Sequence, residues 1–386
     1  MSTYITVRQT ERFHQTSIDE LLFGDIDVYA PQQKHAWRSN PTGTRTFIVR
    51  RTPVEWIQKA NIPQLVRYLE KFNEVNAHLF EADRASLYRH YEIPKKSGKG
   101  MRKIDEPCPE LMAALRALKG LFEQKFGALY HTAAYAYIPG RCTVDAVKKH
   151  QSNASRWFLK TDFSDFFPAT TLEFVVQQFS MLFPFSEVVK TPHGKAQLEK
   201  ALSLCFLRGG LPQGTPISPL ITNLMMIPID HALANSLRDF DKHNFVYTRY
   251  ADDIHISCKY DFSYKVVVRH IDETLAAFNA PFKIKPEKTH YGNNSGKNYM
   301  LGLLLNKENR ITLGHQRKRE IRSWIFNYLK DREHNIPTPL EELYVLRGNM
   351  SYAKMVEPDW YKAILAYFKK EFSVDVEEII GADIAA

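Results

Sequence analysis

Cysteine is scarce in this chain, and its spacing excludes two kinds of site. Among 386 residues there are four cysteines, and no two of them have the Cys-x-x-Cys spacing. Structural zinc sites and disulfide-stapled folds both require clustered or regularly spaced cysteines. We therefore expect neither, and a reducing compartment fits the composition best.

Long apolar runs are also absent from the sequence. No stretch approaches the ~20 consecutive apolar residues that a membrane-spanning helix needs. Residues 1–8 lack the basic-then-apolar order of a signal peptide, and there is no internal repeat or low-complexity segment. These absences predict a cytoplasmic protein without a membrane partner.

What the chain does have is apolar material and an excess of positive charge. A hydrophobic content of 44% over 386 residues is enough for two or three lobes with a large core. The formal net charge of +9 indicates a polyanionic partner only weakly, because many basic proteins bind no nucleic acid. The function therefore has to be inferred from motifs.

Two adjacent acids, Asp252 and Asp253, follow the segment 247–251. Apolar and β-branched residues on either side predict two short strands joined by a tight turn, with both acids at or beside its tip. A pair of acids in a turn is most often simply solvated. Neighbouring carboxylates repel each other, which raises the pKa, so water or a divalent cation must balance them.

A third acid, Asp162, ends the apolar run of residues 157–161. A carboxylate at the end of a buried strand costs free energy unless it is paired. We therefore expect Asp162 to meet Asp252 and Asp253. Three carboxylates in one place favour magnesium, and two such ions about 4 Å apart can activate a hydroxyl and stabilise a leaving oxygen in phosphoryl transfer.

Two further segments fit this chemistry. From Lys95 to Lys103 there are five cations and no acid, around a Ser-Gly-Lys-Gly turn that predicts a hairpin. It is either a solvated basic loop or a mobile hairpin that folds over a triphosphate, where Lys95 and Arg102 neutralise charge. A Gln213-Gly214 pair in a loop before a helix lets the backbone approach a planar group, although alone it is a weak signal.

Hydrophobic spacing predicts the other elements. Two amphipathic helices are expected between residues 62 and 126, and Ser218 is expected to be the N-cap of another. Residues 282–289 and 299–306 are predicted to be strands. From Thr312 onward we expect helices with a basic face, which suits a nucleic-acid backbone but is also typical of a solvated surface.

In this order and spacing, the motifs resemble the reverse transcriptase family over residues 91–372. Six motifs carry the resemblance: Ile-Pro-Lys-Lys followed by Arg102, Thr-Asp162-Phe-Ser-Asp-Phe-Phe-Pro, Leu-Pro-Gln213-Gly-Thr-Pro-Ile-Ser-Pro, Arg-Tyr250-Ala-Asp-Asp, Glu-Lys288-Thr and Leu301-Gly302. The resemblance implies an α+β fold with the right-hand polymerase architecture of fingers, antiparallel-sheet palm and helical thumb. It also implies RNA-directed DNA synthesis at the palm.

The resemblance further implies a division of the chain. Residues 1–55 are treated as an N-terminal extension of unknown role, and residues 56–150 as fingers. Residues 151–308 would form the palm, with a fingers insertion around 172–220. Residues 309–386 would form the helical thumb and the C-terminal tail.

Site residues follow from their places in the motifs. Asp162, Asp252 and Asp253 would hold two Mg²⁺ ions with the Phe163 carbonyl, and Lys288 would act on the departing pyrophosphate. The resemblance implies dNTP contacts from Lys95, Arg102, Phe167, Gln213 and Gly214, and primer or template contacts from Tyr250, Leu301, Gly302, Arg317, Lys318 and Arg322.

Phe167 bears on the choice of sugar. It stands five residues after Asp162, where the family packs an aromatic ring against the sugar. A ring there leaves neither room nor a hydrogen-bond partner for a 2′-hydroxyl. We therefore expect deoxynucleotides to be favoured, unless Phe167 is only a core residue.

Within the family, the chain is similar to bacterial retron reverse transcriptases and related phage-defence enzymes. Residues 145–150, Asp-Ala-Val-Lys-Lys-His, resemble the retron Asn-Ala-x-x-His motif with Asp in place of Asn, and Met-Leu-Gly-Leu from Met300 stands where retrons carry Val-Thr-Gly-Leu. His150 is interpreted as structural or RNA-facing. These departures leave a retron enzyme and another defence branch both open, whereas no maturase, endonuclease or RNase H domain is expected.

Three other functions stay open. An RNA-binding scaffold without catalysis is disfavoured by the three intact acids. A protein-primed or untemplated DNA polymerase would use a Tyr or Ser hydroxyl as primer, and an RNA polymerase on the same palm would accept ribonucleotides. The expected partners are an RNA template from a cognate structured non-coding RNA, the DNA product and dNTPs, in antiphage defence. A homo-oligomer or a defence effector protein is left open.

Overall fold

The computed structural model of the 386-residue chain describes residues 5–6, 37–39, 45–47, 61–94, 100–127, 129–239, 245–295 and 299–385. Within the expected N-terminal extension it describes one antiparallel sheet of order β1-β3-β2. Its strands are β1 (Ile5–Thr6), β2 (Trp37–Ser39) and β3 (Arg45–Phe47). The rest of that extension lies outside the described residues, as does Lys95 with the turn 95–99.

Helices and a hairpin follow next in the chain. The elements are α1 (Ile62–Val75), α2 (Ala77–Glu81), β4 (Tyr88–Pro94), β5 (Met101–Pro107) and α3 (Pro109–Gln124). Asn61 caps α1, because its side chain accepts from the Gln64 N–H. The buried face of α1 includes Leu65, Leu69 and Phe72, so the amphipathic helices predicted here are confirmed.

The middle of the chain contains one strand among helices. The elements are α4 (Thr143–Ser152), β6 (Trp157–Asp162), α5 (Phe166–Ala169), α6 (Leu172–Phe179), α7 (Phe185–Val188), α8 (Pro192–Ser203), α9 (Ser218–Met225) and α10 (Ile227–Asp239). The prediction that Ser218 is the N-cap is wrong by one residue, because Ser218 is the first helical residue. The Ser218 N–H instead donates a hydrogen bond to Thr215 Oγ1, with 3.2 Å between the nitrogen and the oxygen.

The last third completes two sheets and ends in helices. The elements are β7 (Val246–Tyr250), β8 (Asp253–Cys258), α11 (Tyr264–Ala277), β9 (His290–Asn293), β10 (Tyr299–Met300), β11 (Leu303–Leu305), β12 (Ile311–Thr312), α12 (Gly314–Glu333), α13 (Leu340–Val356), α14 (Pro358–Phe372) and α15 (Val376–Ala385). The helical C-terminal region is confirmed.

Two predicted strands are wrong. Residues 282–289 form a single bridge, between Ile284 and Phe163, and then a 3₁₀ turn at Pro286–Lys288, because Pro286 has no N–H to donate to a ladder. Residues 299–306 are not one strand but a hairpin, since β10 and β11 pair across Leu301 and Gly302. The unbroken apolar run concealed that turn.

The central sheet has the antiparallel order β7-β8-β6-β9 and separates two hydrophobic clusters. Leu159, Ile254 and Ile256 belong to the cluster that α1, α3 and α6 to α11 share. Phe158 belongs to the other cluster, with α4, β10 to β12 and the C-terminal helices. Successive side chains of β6 therefore point into one cluster and then into the other, so this strand packs against both. In the described part of the chain no helix is both long and apolar enough to span a membrane.

Candidate active site

The turn between β7 and β8 carries the two adjacent acids, as predicted. Tyr250 pairs with Asp253 across the hairpin, so Ala251 and Asp252 alone form the connection. Ala251 has a φ of 58°, in the left-handed region that a non-glycine residue seldom adopts. Asp252 therefore lies at the tip, and Asp253 is the first residue of β8.

Asp162 lies directly beside them. It is the last residue of β6 and pairs in register with Asp253 of β8. The Phe163 N–H donates to the Asp252 carbonyl at 3.1 Å, and the Lys285 N–H donates to the Asp162 carbonyl at 2.9 Å. The structure thus brings Asp162, Asp252 and Asp253, named here the acid triad, to one edge of the sheet.

Burial and mutual repulsion shape the electrostatics of this edge. Burial, followed by the charges of Asp252 and Asp162, raises the pKa of Asp253 to about 6. Burial and then the charge of Asp162 also raise the pKa of Asp252. Lys288 forms an ion pair with Asp162 Oδ2, and that hydrogen bond raises the pKa of Lys288. The charges of Lys288, Lys285 and Lys160 oppose the increases in the pKa of Asp252 and Asp253.

The donor set fits a hard divalent cation. Carboxylate oxygens are the ligands that such ions prefer. Asp162 Oδ1 is buried and has no hydrogen-bond partner among the described residues, and Lys285 Nζ lies 3.9 Å from it. Within the same described part of the chain, no three acidic, imidazole or thiol groups already stand at the spacing of a formed metal site.

A cavity of about 430 Å³ opens beside the acid triad. It brings together elements far apart in the chain: the β5 edge of the hairpin, the segment around α5, the loop before α9 and the 3₁₀ turn. Its lining residues are Met101, Arg102, Lys103, Asp105, Phe163, Asp165, Phe166, Phe167, Pro168, Leu207, Arg208, Leu211, Pro212, Gln213, Asp252, Lys285 and Lys288. The volume suits a small-molecule site.

The loop before α9 is attached to the hairpin by its backbone. The Asp105 N–H donates to the Gln213 carbonyl at 2.8 Å. Gly214 has a φ of +118°, and a Cβ there would lie 2.9 Å from the Asp105 carbonyl oxygen. Only glycine therefore permits this approach, so the contact shown for Gly214 is to β5. Its expected contact with a nucleotide stays a prediction.

The position of Phe167 is fixed from behind. The Leu211 N–H donates to the Phe167 carbonyl at 2.9 Å. A Cβ on Gly210 would overlap the Pro168 carbonyl, so the two chain segments are in closest backbone contact. The Phe167 ring meets Phe166 edge to face at 5.7 Å between centroids and is only partly buried. It therefore forms part of the cavity wall rather than of the core.

Three residues of the cavity were missed by the sequence reasoning. Lys285 lies three residues before Lys288, and the repeated lysines of that segment were the signal that could have found it. Asp105 accepts from, or shares a proton with, His90 Nδ1 at 2.7 Å, and Arg208 NH1 lies 4.0 Å from the same carboxylate. Nothing local in the sequence marks Arg208, which sits in a turn with a φ of 53°.

Apart from Tyr250, the residues expected to contact primer or template lie in the β10–β11 turn and in α12, beside the second hydrophobic cluster. Leu301 and Gly302 form the β10–β11 turn, with φ values of 52° and 81°. Lys160 donates to the Tyr299 carbonyl, which attaches this hairpin to the central sheet. These roles, and that of Tyr250 at the end of β7, stay predictions.

The basic residues of α12 are already engaged with protein groups. Arg317 NH2 donates to Asn349 Oδ1 at 2.5 Å and its guanidinium lies 4.9 Å from the Trp324 ring centroid. Lys318 pairs with Glu357 at 2.6 Å. Arg322 lies 4.6 Å from the Tyr367 ring centroid. Nucleic-acid contacts from these residues stay predictions.

His150 is structural rather than RNA-facing. It is fully buried, and its two ring nitrogens lie 2.5 Å from Ser257 Oγ and 2.8 Å from Thr248 Oγ1. Burial lowers its pKa well below the ordinary value. Asp145 accepts from the Cys142 N–H at the start of α4. Because three residues separate Ala146 from His150, the spacing is one longer than in the retron motif.

Comparison with known proteins gives a consistent result. The family described as "Reverse transcriptase (RNA-dependent DNA polymerase)" matches residues 93–321. The retron Ec73 reverse transcriptase of Escherichia coli is 30% identical over 292 residues, which cover 73% of this chain and 87% of that protein.

The retron Ec83 reverse transcriptase of Escherichia coli is 28% identical, and the match covers 72% of this chain and 86% of that protein. The retron Mx162 reverse transcriptase of Myxococcus xanthus is 26% identical, and the match covers 74% of this chain and 61% of that protein. A telomerase of Candida albicans superposes on 90% of this chain and 71% of its own at 12% identity. Its TM-score of 0.45 is too low to support an argument.

Proposed function

The chain belongs to the reverse transcriptase family and is an RNA-directed DNA polymerase, and we propose that the acid triad is its catalytic centre. Its α+β fold has the right-hand polymerase architecture. Within that architecture we assign residues 56–150 to the fingers, 151–308 to the palm and 309–386 to the thumb and tail. Residues 172–220 would be the fingers insertion in the palm.

One observation carries the proposal. Asp162 stands in register with Asp253, Asp252 occupies the adjoining turn, and this edge opens on the cavity that Phe167 and Gln213 also line. An acidic edge, an aromatic wall and a basic hairpin are the parts that transfer of a nucleotide to a primer requires. No other cluster is needed to account for the activity.

Members of this family use divalent metal ions, and we propose two Mg²⁺ ions held by the acid triad with the Phe163 carbonyl. Ions bound there would lower the pKa of an attacking hydroxyl and stabilise the leaving oxygen. The chain's own cations would act on the triphosphate. Lys288, whose pKa is raised by Asp162, stays protonated and can donate to the departing pyrophosphate. Arg102, which lines the cavity, would neutralise charge on the triphosphate, and we propose the same role for Lys95.

The cavity wall supports a choice of deoxynucleotides. Phe167 is held by the Leu211 N–H and by the close approach of Gly210, so its ring cannot retreat easily. A 2′-hydroxyl against that ring would be crowded and would find no hydrogen-bond partner. We propose that Phe167 excludes ribonucleotides, and that Gln213 and Gly214 face the incoming nucleotide and the template.

For the biological role, the relatives named retron reverse transcriptases favour a cognate structured non-coding RNA as template, in antiphage defence. In a retron enzyme proper the DNA product stays linked to its RNA. A protein-primed polymerase of the same fold would instead carry DNA on a Tyr or Ser. Nucleic acid that copurifies with the protein distinguishes these: structured RNA bearing attached DNA supports the retron assignment, and DNA released only by proteolysis supports protein priming.

The catalytic assignment is tested by primer extension on an RNA template with dNTPs or rNTPs. We expect Asp252→Asn and Asp253→Asn to lower the rate on the order of 10³-fold or more, because each removes charge from the metal-binding edge. Glu308→Gln, at an exposed acid that is not part of the cavity lining, is the matched control and should keep full activity. Extension by the two aspartate variants at the wild-type rate would place the catalytic centre elsewhere, whereas no extension by the wild type would leave a scaffold role.

A further inference from the structure

A fully buried guanidinium lies beneath the β7–β8 turn. Arg249, on β7, is completely enclosed, as is Asp230 on α10. Arg249 Nε donates to Asp230 Oδ1 at 2.9 Å, and NH2 donates to Oδ2 at 2.8 Å. Tyr247 donates its hydroxyl to the same carboxylate at 2.6 Å. The two charges therefore balance each other inside the protein.

Such a pair is weak evidence for stability. The free energy lost by removing two charges from water is about as large as the free energy gained from their attraction, so apolar residues of similar volume often give the same stability. Apolar residues cannot, however, replace Arg249 NH1 as a hydrogen-bond donor. Arg249 NH1 donates to the Ala251 carbonyl at 3.0 Å, and that carbonyl belongs to the turn.

The Ala251 carbonyl is part of the peptide that joins Ala251 to Asp252. Ala251 is held at a φ of 58°, a sparsely populated conformation for a residue with a side chain, so the turn needs external contacts to keep its shape. The next peptide is fixed from the other side, where the Phe163 N–H donates to the Asp252 carbonyl at 3.1 Å. Asp252 thus stands between two anchored peptides.

Arg249 is itself held in place by its backbone and its neighbours. Its N–H donates to the Ala133 carbonyl at 2.7 Å, and its carbonyl accepts from the Tyr135 N–H at 2.9 Å. NH2 also reaches Asn223 Oδ1 at 3.4 Å, and Asn223 donates to the Ala136 carbonyl at 2.9 Å. The guanidinium is therefore a fixed point to which the turn is attached.

We propose that Arg249, oriented by Asp230, is a positioning residue for Asp252: its NH1 sets the Ala251–Asp252 peptide so that the carboxylate faces the metal-binding edge. This inference rests on the proposed role of Asp252 as a metal ligand. Arg249 touches neither substrate nor metal, and it acts only through the turn.

The test replaces the whole polar cluster at once. The triple variant Tyr247→Phe/Asp230→Leu/Arg249→Met removes both charges together, so neither is left buried and unpaired. The Ala251 carbonyl and Asn223 Oδ1 each lose a donor, so its melting temperature should fall only modestly. We expect its Mn²⁺ affinity, measured by electron paramagnetic resonance without substrate, to fall about 10-fold. We expect kcat for primer extension to fall about 100-fold, because small misplacements of reacting groups have effects of this size. Higher Mg²⁺ should restore part of that loss.

Two controls separate positioning from stability. Leu233→Ala, in the core face of α10, should lower the melting temperature and leave Mn²⁺ affinity and kcat unchanged at 25 °C. Arg249→Lys keeps the charge opposite Asp230 but cannot reach both Asp230 and Ala251, so it should reproduce the loss even if the triple variant does not fold.

The outcomes distinguish the positioning role of Arg249 from the metal site at the acid triad. Wild-type Mn²⁺ affinity and kcat in either Arg249 variant would overturn the positioning role. So would losses that scale with melting temperature as in Leu233→Ala. The proposed metal site itself fails if the wild type binds no Mn²⁺, or if Asp252→Asn binds Mn²⁺ as the wild type does.

Discussion

Beneath the β7–β8 turn every charge has a partner, whereas above it like charges are crowded together. The Arg249–Asp230 pair is fully enclosed and satisfied by hydrogen bonds. In the acid triad, burial and then the charges of the neighbouring carboxylates raise the pKa of Asp253, and an oxygen of Asp162 has no hydrogen bond among the described residues. The contrast indicates that a fully paired layer supports one that leaves carboxylates available to the proposed metal.

The largest effect that would sharpen this comparison is expected at Lys288. We expect Lys288→Gln to lower kcat on the order of 100-fold, because it removes the ammonium paired with Asp162 and a donor to the leaving group. Lys285→Gln is the matched control on the same carboxylate, at 3.9 Å, and should cost less than about 10-fold. Single-turnover extension at saturating dNTP measures both. Equal losses would mean that neither lysine has a specific role.

Phe167 tests whether the cavity wall selects the sugar. We expect Phe167→Ala to lower the preference for dNTP over rNTP by between about 10- and 100-fold, since the ring no longer crowds a 2′-hydroxyl. The ratio of kcat/KM for the two substrates measures it. Phe174→Leu, at a buried residue outside the cavity lining, is the control and should keep the ratio. An unchanged ratio in Phe167→Ala would place the sugar elsewhere.

A separate buried polar network surrounds His150, whose ring bonds Ser257 and Thr248. We expect His150→Ala to lower the free energy of unfolding by about 2 kcal/mol, because it leaves Thr248 without its buried partner and opens a cavity. His193→Ala is the control, since that ring is exposed and pairs with Glu70 at the surface, and it should cost well under about 1 kcal/mol. Urea unfolding measures both variants. Similar midpoints would show that the buried network contributes little.

The smallest effect is expected at Asp253 in the absence of divalent ions. Because its folded pKa is raised from 3.8 to about 6, the folded state binds the proton more tightly than the unfolded state does, and stability is lost as pH rises through that window. In EDTA at pH 8, Asp253→Asn should therefore melt a few degrees higher than wild type. At pH 4 the two proteins should melt at the same temperature. Glu308→Gln should show no difference at either pH. A lower melting temperature for Asp253→Asn at pH 8 would contradict the repulsion.

Much of the site followed from local pattern. Apolar and β-branched residues around Asp252 and an apolar run before Asp162 predicted strands, and the cost of burying an unpaired carboxylate predicted that the three acids meet. Arg102, Phe167 and Gln213 were identified by motif, and the cavity unites them. Their roles remain proposals, but their proximity was predictable.

The remainder depends on contacts between distant elements. Asp230 and Arg249 lie on a helix and a strand 19 residues apart, and nothing in either segment shows that they meet. The turn at Leu301 was hidden because an apolar side chain occupies a positive φ, which sequence patterns assign to glycine or asparagine. Long-range packing, rather than propensity, decides both.

The hydrogen bond from the Asp105 amide to the Gln213 carbonyl has a consequence for copying accuracy. It ties the basic hairpin to the loop before α9, and Gly214 keeps the two backbones in contact. A hairpin that tilts over a nucleotide, as we propose, would carry that loop with it, so that two walls around the new base pair would respond as one. We therefore expect the frequency of misincorporation to change when this link between the two backbones is altered.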